Sequence, residues 1–448
     1  MVKGFEMKKL VLLSALVGAA CASADPVVNV QLVRQLRPWS AKIAVEFTLS
    51  GLSPNGAATL TARAYDDASE LGEIPAEAIS GWRVAFDAER TYHVEIDPAR
   101  CPFASHGRIR DFRVAFTAAE SPYRAEPLYR IVDLTDGSHR DITETDVVNG
   151  HYGTFETHPA WLQDKVVTAL GGSTLFLTGI TNDTSFVTDK LLLRRMKAGT
   201  YAVGATGSTG YPVHNAAFTK DYWIGVFEIT FAQWNRITGG SLTDPYPTRP
   251  VQGQRTVTYD TVRGKAVDNP DYDWPTGRQV APDSFMGKLR NLTGLDFDLP
   301  TEEQWSAAAY AGAAGATHYD GSSSSANDAS NPAWFLGRSS ANGATTGTPS
   351  GGTALPGSYW PNGYGLYDIL GNVREMVLDW YKEGNIVAGA TLTNWEGAQS
   401  GTNRGIKGGC AGQSTGGGLT LIGRASPKDI FPDECAGCTG FRVCLTEK

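Results

Sequence analysis

The chain has 448 residues, too many for one core, and its 41% hydrophobic and 19% charged residues are ordinary for globular protein. A formal net charge of -8 with no basic run argues against nucleic acid and anionic membrane surfaces as partners. Its 51 glycines and 11 tryptophans point to irregular chain pinned by large aromatics, not to a helical bundle.

The first residues read as an export signal, with translation from Met1 or, more tidily, from Met7. Lys8 and Lys9 precede the apolar run Leu10–Ala20, and Ala22-Ser23-Ala24 supplies small residues for cleavage before Asp25-Pro26. The run is too short to span a bilayer, and no other segment is apolar enough to do so. A rival reading acylates Cys21 after Gly18-Ala19-Ala20 as a lipid anchor, although Gly18 stands where such sites want Leu or Val. The mature chain is expected outside the cytoplasm: periplasmic, secreted or at the cell surface. Export permits disulfides among Cys101, Cys410, Cys435, Cys438 and Cys444, and their odd number leaves one unpaired unless a partner chain supplies a thiol.

Residues 25–120 predict an immunoglobulin- or fibronectin-like β-sandwich. Ile43, Val45, Phe47 and Leu49 alternate with Lys42, Ala44, Glu46 and Thr48, the period of a half-buried strand. Tyr92-Val94-Ile96 and Phe112-Val114-Phe116 repeat the pattern, and turn residues such as Ser50–Gly56 separate the runs. His93 and His106 are isolated and read as surface or strand residues. Residues 121–189 read as a connecting segment packed on one neighbour. Tyr129-Ile131-Asp133 starts a strand there and Asp136-Gly137 signals a turn, while the stretch with His151, His158 and Trp161 has no clear period.

The texture changes at Leu191. Leu191–Gly204 predicts a strand and turn, and Tyr222–Glu228 leads into a short helix. A second helix is expected over Asp283–Leu292 with Ser284 as N-cap. Thr301–Ala311 predicts a third, capped by Thr301, with Glu302 and Glu303 at its positive end and Trp305 on an inward apolar stripe. Residues 311–356, rich in Gly, Ala, Ser, Thr and Asn, read as a long loop.

Six pieces of this region come in a recognisable order. They are Phe227-Glu228-Ile229-Thr230; Arg249-Pro250-Val251; Asp298-Leu299-Pro300-Thr301-Glu302-Glu303-Gln304-Trp305; the run from Asn362-Gly363-Tyr364-Gly365-Leu366-Tyr367 through Asp368-Ile369-Leu370-Gly371-Asn372-Val373-Arg374-Glu375; Lys407-Gly408-Gly409; and Gly440-Phe441-Arg442-Val443. Residues 190–448 thereby resemble the formylglycine-generating, or sulfatase-modifying factor, family. The resemblance implies an α+β, C-type-lectin-like fold after the N-terminal sandwich. It also implies a structural calcium ion held by the side chains of Asp368 and Glu375 and the carbonyls of Gly371 and Val373. Hard oxygen donors on an irregular loop suit that ion. The family's second calcium site is not traceable in 331–355, where acidic residues are absent, so one ion is expected.

Oxygen-dependent members of the family convert a sulfatase cysteine to formylglycine with copper held by two cysteines five residues apart. Anchored on Lys407-Gly408-Gly409 and Arg424, those positions fall at Gly416 and Leu421; shifted by two, they fall at Gly418 and Gly423. Neither choice supplies a thiol, so no copper and no catalytic residue are assigned. Cys435-Ala436-Gly437-Cys438 is a CxxC, compatible with a disulfide, a metal site or a redox pair. The reading favoured is a disulfide from Cys410 to one of the two. His214 and His318 stand too far apart in sequence to suggest a histidine iron site. Three functions remain: a non-catalytic binding domain (a pseudoenzyme) for a protein, peptide or glycan; an oxidoreductase of the wider family with a displaced metal; and a retroelement-diversified display protein varying residues 410–439.

Overall fold

Strand after strand in the first unit alternates buried and exposed side chains. The computed structural model describes residues 25–36, 40–87, 90–106, 108–150, 154–155, 177–178, 180–243, 246–251, 257–311, 353–357, 361–382, 384–410, 424, 430–431, 434–435 and 439–447. They divide into two units, Met1–Pro127 with Thr143–Thr154, and Leu128–Ile142 with Phe155–Lys448.

The first unit holds β1 (Val27–Gln35), β2 (Ile43–Ser50), β3 (Ala58–Asp66), β4 (Ser69–Ile74), β5 (Ile79–Ser80), β6 (Thr91–Ile96) and β7 (Phe112–Glu120). They form two antiparallel sheets in the orders β1-β2-β6-β5 and β4-β3-β7. Ile43, Val45, Phe47 and Leu49 all face inward, as their period requires, and meet Leu60, Ala62 and Val114 of the other sheet in one core. Phe47 sits at its centre, its ring centroid 4.6 Å from Phe116 and 5.4 Å from Tyr92. Between the strands only short 3-10 turns occur among the described residues. Cys101 is a free, buried thiol, pushed up to about 11 by burial and by the nearby charge of Asp97.

Next come β8 (Pro127–Asp133), β9 (His139–Thr143) and α1 (Glu144–Val148), the last started by a reciprocal Thr143–Asp146 capping box. The short pieces β10 (Thr154–Phe155) and β11 (Leu177–Thr178) pair with each other. Then follow β12 (Lys190–Met196), β13 (Gly199–Val203), β14 (His214–Phe218), β15 (Tyr222–Gly225), α2 (Phe231–Thr238), α3 (Tyr259–Arg263), α4 (Phe285–Thr293), β16 (Phe297–Asp298) and α5 (Glu302–Tyr310). The chain ends with β17 (Arg374–Trp380), β18 (Thr391–Thr393), β19 (Arg404–Lys407), β20 (Ile430–Phe431), β21 (Glu434–Cys435), β22 (Thr439–Gly440) and β23 (Cys444–Thr446).

The main sheet of the second unit has the order β16-β23-β15-β12-β8-β9. The segment 121–189 is therefore more than a connector, because its hairpin β8-β9 extends this sheet. Leu193 pairs with Arg130 on one side and Gly225 on the other. Val132 and Leu134 enter the same core as Leu191 and Leu193, and the Arg130 guanidinium lies 4.3 Å from the Trp223 ring centroid. Two smaller sheets, β13-β14-β18 and β19-β17-β22, each mix antiparallel and parallel partners.

Local chemistry sets the helix ends. Thr230 with Gln233, and Thr301 with Gln304, form capping boxes that open α2 and α5, and the Ser284 hydroxyl accepts the Gly287 N–H at the start of α4. Gly239 and Gly294 close α2 and α4 in left-handed conformation. Trp305 on α5 is fully buried, as its stripe predicts. The second unit is thus mixed α/β and mostly strand. No helix among the described residues is long and apolar enough to cross a membrane. The expected long loop at 311–356 falls largely on 312–352, outside the described residues.

Candidate functional site

Two buried polar clusters stand out in the second unit. The first is built on the irregular chain between α5 and β17. Asn362 anchors it: its amide donates to the carbonyls of Ala308 and Ala309, and its Oδ1 accepts from Tyr364 and Leu366. The loop then turns through Asp368 and Asn372, both at positive φ, a conformation these two residue types tolerate best after glycine. Gly408 approaches from β19 so closely that a Cβ there would lie 2.7 Å from the Ile369 carbonyl, and its own carbonyl accepts the Gly371 N–H. Only glycine fits that position, which is also in left-handed conformation.

Three carboxylates converge here with one cation. Glu375 receives Arg442 Nε on Oε2 and Arg442 Nη2 on Oε1, both at 2.6 Å, and the Trp305 indole N–H at 2.7 Å. Glu228 accepts from the Asn372 amide at 2.6 Å and from the Val373 N–H at 3.1 Å. Asp368 Oδ2 accepts the Gly357 N–H at 2.7 Å, while its Oδ1 is buried with no hydrogen-bond partner. Burial, and then the Glu375 charge, push Asp368 up to about 7, against the Gly357 N–H and Arg442, which pull it down. Burial with the charges of Asp368 and Glu375 holds Glu228 far above the usual carboxylate range.

The four residues expected to hold calcium are thus brought to one loop, with different freedom. Asp368 keeps a buried oxygen without a hydrogen-bond partner. Glu375 brings only the lone pairs left by Arg442 and Trp305. Among the described residues no three His, Cys, Asp or Glu side chains, these three carboxylates included, are placed to share a metal ion. An ion here would therefore draw on Asp368 and on backbone oxygens such as those of Gly371 and Val373. Sequence reasoning gave no role to Glu228 or Arg442. The signal was present: each is a charge flanked by apolar residues that enter the core, and a buried charge needs a partner.

The second cluster surrounds the start of α5. Glu302 and Glu303, expected at the positive end of this helix, lie in its first turn and are both buried. Glu302 takes a two-pronged contact from Arg424 at 2.6 and 2.7 Å, and Lys407 Nζ lies 3.6 Å away. Glu303 accepts from Tyr211 and meets His214 Nε2, both at 3.0 Å, and the Tyr211 oxygen accepts in turn from the Ser306 hydroxyl at 2.7 Å. Asp379 Oδ2 accepts the Glu302 backbone N–H, while its Oδ1 has no partner, and burial with the Glu302 charge raises it strongly. Lys407 makes no hydrogen bond through Nζ, which sits 4.0 Å from the Tyr211 ring centroid. Burial lowers it to about 8 even though Glu302 pulls the other way. His214, set aside in the sequence as an iron ligand, is a buried partner of Glu303.

The cysteines complete the site. Cys410, directly after Lys407-Gly408-Gly409, is buried and disulfide-bonded. Its partner is neither Cys101 nor Cys444, which are free thiols, and lies beyond the described side chains. Gly416, Leu421, Gly418, Gly423 and Cys438 fall outside the described residues, as does His318, and of Cys435 only the backbone, in β21, is described. Cys444 is buried, contacts Gln304 Oε1 at 3.7 Å, and is driven strongly up by burial. Neither free thiol is a ready thiolate.

The family model described as the sulfatase-modifying factor enzyme 1-like domain matches residues 193–446. Among solved structures, Treponema denticola variable protein 1 is 19% identical, covers 58% of this chain and 96% of its own, and superposes with a TM-score of 0.43. CarF is 18% identical, covers 57% of this chain and 98% of its own, and gives a TM-score of 0.33. No curated protein matches the chain.

Proposed function

The chain belongs to the sulfatase-modifying factor family, and from that premise we propose that it is an exported binding domain of the family, stabilised by calcium, and not a formylglycine-forming oxidase. One observation carries the reading: the thiols needed for copper are missing or committed. The two alignments of the family's cysteine pair fall on Gly and Leu or on two glycines. Cys410 beside them is tied up in a disulfide, and Cys444 is a buried thiol held far from its thiolate form. Soft Cu(I) has no pair of sulfurs to share among these residues.

Calcium would supply charge neutralisation to the Asp368–Glu375 loop, which has little regular structure of its own. Asp368 would hold it through Oδ1, with the carbonyls of Gly371 and Val373 beside it. The N-terminal unit reads as an immunoglobulin- or fibronectin-like sandwich that spaces or docks the binding domain. Export rests on the leader-like residues 8–24 alone.

The test is mass spectrometry of a cysteine-containing sulfatase peptide incubated with the full-length protein, copper, oxygen and reductant. No aldehyde is expected. Conversion that disappears in a Cys435→Ser/Cys438→Ser double variant would replace this reading with an oxidase whose metal site has moved to the CxxC.

A further inference from the structure

A cleft that neither polar cluster uses opens beside the cap of α5 and encloses 470 Å³, within the size range of small-ligand sites. Its walls carry three cations, Lys220, Arg278 and Arg290, and three acids, Asp296, Asp298 and Glu396. The formal charges of these six cancel, while Asp298 also holds the buried Arg263, whose Nε lies 3.1 Å from each of its oxygens. Two opposite pairs are in contact: Arg278 Nη2 lies 2.5 Å from Glu396 Oε1, and Arg290 Nη2 lies 3.2 Å from Asp298 Oδ2.

Such pairs favour a particular chemistry. A hydroxyl donates one proton and accepts on its lone pairs. Set beside an Arg–carboxylate pair, it can give its proton to the carboxylate and accept from the guanidinium at once. A molecule bearing several hydroxyls therefore matches the lining where a carboxylate or ammonium ligand would meet a like charge. The rest of the lining is mixed: Phe218, Trp274 and Trp395 supply aromatic surface, and three threonines with Gln304 and Asn394 supply neutral polar groups. Trp274 is fixed in place: its indole N–H donates to the Glu396 carbonyl at 3.0 Å, and the Arg278 guanidinium lies 5.0 Å from its ring centroid. Flat apolar surface next to paired polar side chains suits a ring with one C–H face and a rim of hydroxyls. Arg278 and Glu396 keep 63% and 32% of their side-chain surface exposed, so a solute reaches them. A peptide added as a strand would use backbone groups of a sheet edge. The edge strand β18 ends just before Asn394-Trp395-Glu396, yet none of its three residues lines the cleft.

We propose that this cleft binds a neutral sugar ring or short neutral oligosaccharide, which gives the binding function proposed above, on which it rests, a ligand class. Isothermal titration of the full-length protein with neutral hexose and N-acetylhexosamine oligosaccharides, and separately with uronic-acid oligosaccharides and extended peptides, tests it. At least one neutral oligosaccharide should bind saturably. Arg278→Gln and Glu396→Gln should each weaken it about tenfold, the loss expected when a charged hydrogen-bonding partner is removed. Both residues are partly exposed, so both variants should melt with the wild type, and that melt is measured alongside. No saturable neutral sugar, binding indifferent to both substitutions, or tighter binding of uronic acids or peptides would overturn the proposal. A protein that binds no sugar and does not oxidise the sulfatase peptide loses only this proposal. One that oxidises the peptide loses the functional reading, whatever the cleft binds.

Discussion

Arg442 holds Glu375 in a two-pronged contact, both N···O distances 2.6 Å, and directs its three other N–H groups to the carbonyls of Gly225, Val226 and Tyr367. All five donors of a fully buried guanidinium are thus used, joining β15, the loop before β17, and β17 itself. Glu375→Gln leaves that cation without its anion and should cost about 3–5 kcal/mol. Arg442→Lys should fall in the same range, because an ammonium cannot reproduce the fork. Urea unfolding midpoints read both; a Glu375→Gln midpoint equal to wild type would show that the pair contributes nothing to stability.

Calcium should act through Asp368. The wild type is expected to melt at lower temperature in chelator than in millimolar calcium, since a ligand that binds only the folded state stabilises it. Asp368→Asn should melt alike in both. A wild-type melting temperature indifferent to chelator would leave the Asp368–Glu375 loop as a metal-free turn.

His214 gives a pH signature. Burial opposes its charge, yet the hydrogen bond and charge of Glu303 prevail and raise it above its ordinary value. A base raised in the folded state contributes its stability in full below the unfolded value near ~6.5, and loses it as pH rises through the folded value. His214→Gln should therefore cost most stability at acidic pH and progressively less above neutrality. An identical cost at both ends of that range would contradict the assignment.

Lys407 should behave in the opposite sense. Its folded value of about 8 lies below the ordinary 10.5, so its penalty grows as pH falls through that window. At ~1.36 kcal/mol per unit this amounts to roughly 3 kcal/mol at neutral pH. Lys407→Met, which leaves Glu302 its Arg424 contacts, should be more stable than wild type at pH 7, with the advantage fading toward pH 10. A Lys407→Met variant less stable at pH 7 would mean that attraction to Glu302 outweighs the cost of burial.

What could be read in the sequence was local. Period-2 alternation located β2, β6 and β7, and the Thr301 and Ser284 caps located two helices, because a few neighbouring residues determine each. The motif run 362–375 brought Asp368 and Glu375 forward together. Pairings across long stretches of chain were not legible. Glu303 meets His214, 89 residues earlier, and Val373 reaches Glu228, 145 residues earlier. Nothing in either neighbourhood specifies the partner. The hairpin β8-β9 was missed as part of the second unit for the same reason: its partner strand, β12, comes only after a long intervening segment.

That hairpin changes where the second unit can be cut. The family match opens at residue 193, inside β12, and a fragment begun there or at 190 would lack β8 and β9. The outer edge of β12 would then present bare N–H and C=O groups, over Leu193 in either fragment and over Leu191 as well in the longer one, and both residues sit in the core of the intact chain. An uncovered, apolar edge is a template for another chain, so such a fragment should self-associate, whereas one begun before Pro127 carries its own cover.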